Sequence, residues 1–125
     1  MVFSLFPGIQ QNIVRHVLEA PELRGIVMRS FGSGNAPQKP WIRQLLMDAT
    51  KRGVTVVNIT QCVAGNVKMG RYEASYQLKD AGIVSGYDST VESAVTKLMF
   101  LQARYSDCHT IRNLMNTNLC GEITK

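Results

Sequence analysis

Short apolar runs alternate with helical periodicities along the chain, and most runs are closed by glycine or proline. Val2 to Phe6 is the first such run; it ends at Pro7-Gly8 and predicts a strand. Ile9, Ile13, Val14, Val17 and Leu18 follow at the spacing of an amphipathic helix, which Pro21 ends by disfavouring helical geometry at Ala20. Gly25 to Phe31 predicts a second strand, stopped by the small residues Gly32-Ser33-Gly34-Asn35. Pro40 suits the first turn of a helix, where its missing N–H costs nothing. Trp41, Ile42, Leu45, Leu46 and Ala49 form the stripe to be buried, and Gly53 is the expected C-cap.

Val54 to Thr60 is a third strand. Its Val54, Val56, Val57 and Ile59 leave almost no polar face, which is the habit of parallel sheets covered by helices on both sides. Gln61 to Arg71 reads as a loop, Tyr72 to Ala81 as a helix and Gly82 to Ser85 as a short fourth strand. Ser89 and Glu92 fit a capping box at the start of a long helix whose faces are traced by Val91, Ala94, Val95, Leu98, Met99 and Gln102. After Ser106-Asp107 a last helix carries Ile111, Leu114 and Met115 before Gly121. Strands and helices in alternation call for right-handed crossovers. The expected fold class is therefore α/β, a three-layer α-β-α arrangement with a parallel sheet of about four strands.

Composition narrows the class without changing it. With 125 residues, 45% of them hydrophobic, the chain fits a single α/β domain over 1–125. Lysine and arginine number 14 against 9 acids, a net charge of +5, but they are spread from Arg15 to Lys125. A solvated surface is expected, not a nucleic-acid footprint. No apolar run approaches a membrane span, and the start lacks the basic region and cleavage site of a secretory signal, so a soluble, cytoplasmic protein with no membrane partner is expected. Cys62, Cys108 and Cys120 cannot all pair, and none stands in a zinc-binding spacing. Reduced thiols and no metal are expected.

Ligands of open α/β sheets bind beyond the carboxyl ends of the strands, where unpaired backbone N–H groups converge. Three loops qualify: Gly32 to Lys39, Gln61 to Arg71 and Gly86-Tyr87-Asp88. Gly32-Ser33-Gly34 opens like a dinucleotide fingerprint, but Pro37 stands at the third glycine position and the helix opens only at Pro40, so no cofactor is expected. Ser33 lacks the G-x-S-x-G context of a nucleophile, and Glu73, Asp80, Asp88 and Glu92 form no evident acid/base pair. Cys62 stands at a strand end with Gln61 and Asn66 nearby, but no base is assignable to it. Arg29 is different. A guanidinium in a strand made of Ile26, Val27, Met28 and Phe31 must reach a sheet edge, a bound anion or an internal carboxylate, because unpaired burial costs several kcal/mol. Its fork suits an α-carboxylate, and Thr60 and Cys62 arrive at the same rim from the next strand; a salt bridge to an internal Asp or Glu is the competing reading.

Five segments carry a resemblance. They are Met28 through Pro37, Val57 through Cys62, Gly65 through Tyr72, Asp88 through Leu98 and Arg112 through Thr124. In this order, with these loop lengths, the chain resembles the C-terminal domain of bacterial cytoplasmic (type I) L-asparaginases. The resemblance implies a larger N-terminal α/β domain followed by this smaller one, assembled into homo-oligomers. It also implies hydrolysis of L-asparagine to L-aspartate and ammonia by a threonine nucleophile, without metal or organic cofactor. The family's catalytic threonines, aspartate and lysine belong to the N-terminal domain, and no such segments occur here, so no catalytic residue is expected in this chain. Thr60 and Thr90 are not substitutes. By the same resemblance Asn35 and Tyr72 help complete an active site of a neighbouring subunit, while Arg29, Thr60 and Cys62 match positions that bind an additional, allosteric asparagine in some members. The expected function is that of an assembly and regulatory domain, inactive alone, whose partners are L-asparagine, its own N-terminal domain and further copies. A free-standing amino-acid-binding module is the alternative.

Overall fold

A computed structural model describes residues 1–6, 8–30, 39–61 and 81–123. Four parallel strands, β1 (Val2–Ser4), β2 (Gly25–Ser30), β3 (Thr55–Thr60) and β4 (Val84–Ser85), form one sheet in the order β1-β2-β3-β4. Helices α1 (Gln11–Leu18) and α2 (Pro40–Lys51) connect the first three strands, and α3 (Val91–Arg104) and α4 (Cys108–Met115) follow the last. The expected α/β class with a four-stranded parallel sheet is what the chain adopts.

The pleat divides the apolar residues between two cores. Ile26, Met28 and Val56 point to one face, where they meet Val14 and Leu18 of α1 and Ile42 and Leu46 of α2. Val27, Val57, Ile59 and Val84 point to the other, against Ala94, Leu98 and Leu101 of α3 and Ile111 and Met115 of α4. Every residue of β3 is buried, as its two-sided apolar pattern predicts. The sheet therefore lies between two helical layers.

Several boundaries differ from the sequence reading. β1 stops at Ser4, and Phe6 beyond it is half exposed. β4 keeps only Val84 and Ser85 in register with Val57 and Asn58. The cap of α3 is shifted by one residue: Thr90, not Ser89, accepts from Ser93 N at 3.1 Å, and Ser89 is buried. Pro40 does open α2, and Gly53, with φ of 92°, stands one residue past the observed cap, Arg52. Ile13 and Met99, read as parts of helical faces, are largely exposed. The predicted helix over Tyr72 to Ala81 lies outside the described residues except at Ala81, which is in a turn.

Long polar side chains tie the layers together. Thr50 Oγ1, at the end of α2, donates to Ala81 O at 2.7 Å, and Arg112 of α4 donates from Nη2 to Thr50 O at 2.9 Å. Arg112 thus joins helices that belong to opposite layers. Lys97 of α3 is also buried. Its Nζ donates to Met115 O at 3.2 Å and Thr117 O at 2.7 Å and pairs with Glu122 Oε1 at 2.9 Å. Glu122 in turn accepts from the N–H groups of Leu119 and Cys120.

Candidate functional site

The carboxyl ends of β1, β2 and β3 meet at Ser4, Arg29, Ser30 and Thr60, and the backbone hydrogen bonds there run one residue past the strands. Leu5 N donates to Arg29 O at 2.8 Å, and Gln61 N donates to Ser30 O at 2.9 Å. The side chain of Gln61 returns across the rim. Its Nε2 donates to Leu5 O at 2.7 Å and to Arg29 O at 3.0 Å, which joins all three strand ends through one carboxamide.

Arg29 registers with Ser4 on one side and Ile59 on the other. Nη1 makes one long hydrogen bond, to Ser4 Oγ at 3.4 Å, and Nε is enclosed without a partner. No aspartate or glutamate among the described residues pairs with it; the ion pair found among them is Lys97–Glu122. Its competing role, an internal salt bridge, therefore lacks support among the described residues. The Nε edge of a guanidinium is one side of the fork that binds carboxylates bidentately, and an enclosed donor left unmade costs about 1–3 kcal/mol. An arriving carboxylate oxygen would recover that.

Thr60 occupies the same rim but not the same face. It registers with Ser30, so the pleat directs Arg29 toward the Val27 and Ile59 face and Thr60 toward the Met28 and Val56 face. Thr60 is buried beside two buried polar neighbours, Ser30 and Asn58. Ser30 Oγ lies 2.5 Å from Asn58 Oδ1 and donates also toward Ile59 O at 3.1 Å. Cys62, Asn35 and Tyr72 fall outside the described residues.

The third loop is held close to the sheet. Gly86 N donates to Asn58 O at 2.8 Å, and a Cβ on Gly86 would stand 2.6 Å from Ile59 Cγ2, so any side chain there forces its buried neighbours to shift. Tyr87 follows with φ of 54°, a left-handed conformation that a bulky side chain rarely adopts, and its N–H is taken by Ser85 Oγ at 3.0 Å. Nothing in the sequence marks Tyr87 as strained. The network through Gln61, Ser30 and Asn58 is equally silent there, because its partners are far apart along the chain.

A groove of about 490 Å³ runs elsewhere, along β1 and α1, lined by Phe3, Phe6, Ile9, Ile13 and Val17. Its lining is mainly apolar, with Ser4 and Gln10 its polar members, whereas the rim gathers a guanidinium and several buried polar groups. Among the described residues no three His, Cys, Asp or Glu side chains gather into a metal-binding group, and no helix is long and apolar enough to cross a membrane. Cys120 is exposed; the Glu122 carboxylate beside it pushes its thiol up, away from a reactive thiolate.

Comparison with known proteins agrees with this architecture. L-asparaginase 1 of Escherichia coli is 44% identical over 123 residues, which are 98% of this chain and 36% of that protein. The 60 kDa lysophospholipase of Homo sapiens is 41% identical over 124 residues, 21% of its length. The crystal structure of L-asparaginase I from Vibrio cholerae superposes with a TM-score of 0.94 at 40% identity, covering 99% of this chain and 37% of that one. The chain thus spans about a third of the asparaginases it matches. The Glutaminase/Asparaginase C-terminal domain pattern matches residues 1–115, and the chain belongs to that family.

Proposed function

We propose that this chain is the C-terminal domain of a cytoplasmic L-asparaginase, whose N-terminal domain supplies the threonine nucleophile that hydrolyses L-asparagine to L-aspartate and ammonia. In this reading the domain serves assembly with its own N-terminal domain and with further copies. Asn35 and Tyr72 complete a neighbouring active site. Arg29, Thr60 and Cys62 hold a second, regulatory asparagine. The observation that carries the regulatory part is the guanidinium of Arg29 at the strand rim, with Nε enclosed and unpaired. A carboxylate is the group such an edge lacks.

Chemically, the rim can bind and orient a zwitterion but has no attacking group assigned to it. The isolated chain is expected to release no ammonia from L-asparagine in a coupled assay, with turnover appearing once the N-terminal domain is supplied. Robust hydrolysis by the chain alone would overturn the assignment. Calorimetry with L-asparagine and L-aspartate then tests the rim: binding is expected to be lost in Arg29→Ala. The same orphaned edge favours one second reading, a free-standing amino-acid-binding module. Strong binding by the chain without any partner domain supports the module, and weak binding strengthened by the N-terminal domain supports the asparaginase.

A further inference from the structure

The fork of Arg29 has no firm anchor of its own among the described residues. Its single hydrogen bond, to Ser4 Oγ, is long at 3.4 Å, and Nε has none. Among the described residues, the groups that fix it act on the backbone from which it springs. That backbone is gripped twice. Arg29 O accepts from Leu5 N at 2.8 Å and from Gln61 Nε2 at 3.0 Å, so both carbonyl lone pairs are used. The same Nε2 donates at 2.7 Å to Leu5 O, next to Ser4, the residue on which Nη1 leans. Gln61 therefore fixes the root of Arg29 and its lateral support with one carboxamide.

We propose that Gln61 is a positioning residue for the Arg29 site. It holds the carboxyl ends of β1 and β2 in the relation that aims the unpaired guanidinium edge at an incoming carboxylate. The inference rests on the reading of Arg29 as a carboxylate-binding group. Gln61 lies one residue beyond β3, where its backbone N–H still donates to Ser30 O while its side chain folds back across the rim to both carbonyls. A methionine there would keep length and bulk but lose both donors. A glutamate would set a carboxylate against two carbonyl oxygens.

The test uses this chain with Gln61→Met and Gln61→Glu. In ¹⁵N-resolved NMR the Arg29 Nε–H, assigned from its disappearance in Arg29→Lys, is expected to exchange with solvent at least tenfold faster in both variants. The Arg112 Nε–H, likewise enclosed and unpartnered, and the amides of Val56 and Val57 should keep their wild-type rates. Equal acceleration of Arg29 and Arg112, no change at Arg29, or failure of both variants to fold would each overturn the assignment in favour of a purely structural role. Calorimetry with L-asparagine is expected to show at least tenfold weaker binding in Gln61→Met. Binding weakened in Arg29→Lys but unaltered in Gln61→Met would also overturn it. If the wild-type chain binds no L-asparagine even with the N-terminal domain supplied, the reading of Arg29 falls and this inference with it, whereas wild-type binding left intact in Gln61→Met overturns the role of Gln61 alone.

Discussion

Lys97 and Glu122 form the buried ion pair found among the described residues, with side chains only 6% and 9% exposed, and neither stands out in the sequence. Burial pushes the Glu122 carboxyl up, but the N–H groups of Leu119 and Cys120 and the Lys97 ammonium outweigh it and hold the group well below the ordinary carboxylate range. With the folded value depressed, the unfolded chain binds more protons in acid. The stability contributed by Glu122 is complete only above the ordinary carboxylate value of 4.5 and is lost progressively as pH falls below it. Glu122→Gln should cost about 3 kcal/mol near neutrality, because it leaves the Lys97 ammonium buried without its counter-charge. Urea unfolding should show the gap to wild type narrowing below about pH 4.5. Arg29 was legible in the sequence because a guanidinium in an apolar strand has few places to go. Lys97, Gln61 and Arg112 were not, since their partners lie 18 to 62 residues away and only the fold brings them together.

At the scale of elements, periodicity located every strand and helix that the described residues contain, while side-chain detail decided where each begins. The shifted cap of α3 is one instance. Ser89 and Thr90 are both competent hydroxyls, and Thr90 takes the role while Ser89 is buried. Thr90→Ala should destabilise the chain by about 1 kcal/mol in thermal or denaturant unfolding. Two glycines separate packing from conformation. A Cβ on Gly86 would press on Ile59 Cγ2 at 2.6 Å, the rigid branch of a fully buried side chain, with Asn58 O at 3.3 Å. At Gly25 the nearest atoms are the ends of Gln102 and Leu98, at 2.6 and 2.9 Å, which can swing away. Gly86→Ala should therefore cost about 1–3 kcal/mol and Gly25→Ala distinctly less, compared by chemical denaturation of the two variants.

For the whole molecule, the two-sided burial of β2 and β3 makes them the mechanical centre. Their amides from Ile26 to Met28 and Val56 to Ile59 should be the slowest to exchange, opening only with global unfolding, while those of β1 and β4 exchange sooner. Hydrogen exchange read by NMR or mass spectrometry checks this; early exchange of β3 would contradict the layered description. The class and layering were readable from alternation alone because a strand apolar on both faces admits few other arrangements. The rim was readable only in part, since the pleat that separates Arg29 from Thr60 depends on a register that spacing does not fix.

A sheet whose strand order follows the chain, β1-β2-β3-β4, has a consequence for synthesis. Each strand can dock on its predecessor as it leaves the ribosome, without waiting for a distant partner. The helices that cover Val27, Val57 and Ile59 come last, beginning at Val91. Until they arrive the nascent sheet shows one oily side to solvent, and that interval is when a chaperone, or a neighbouring nascent chain, has its opportunity.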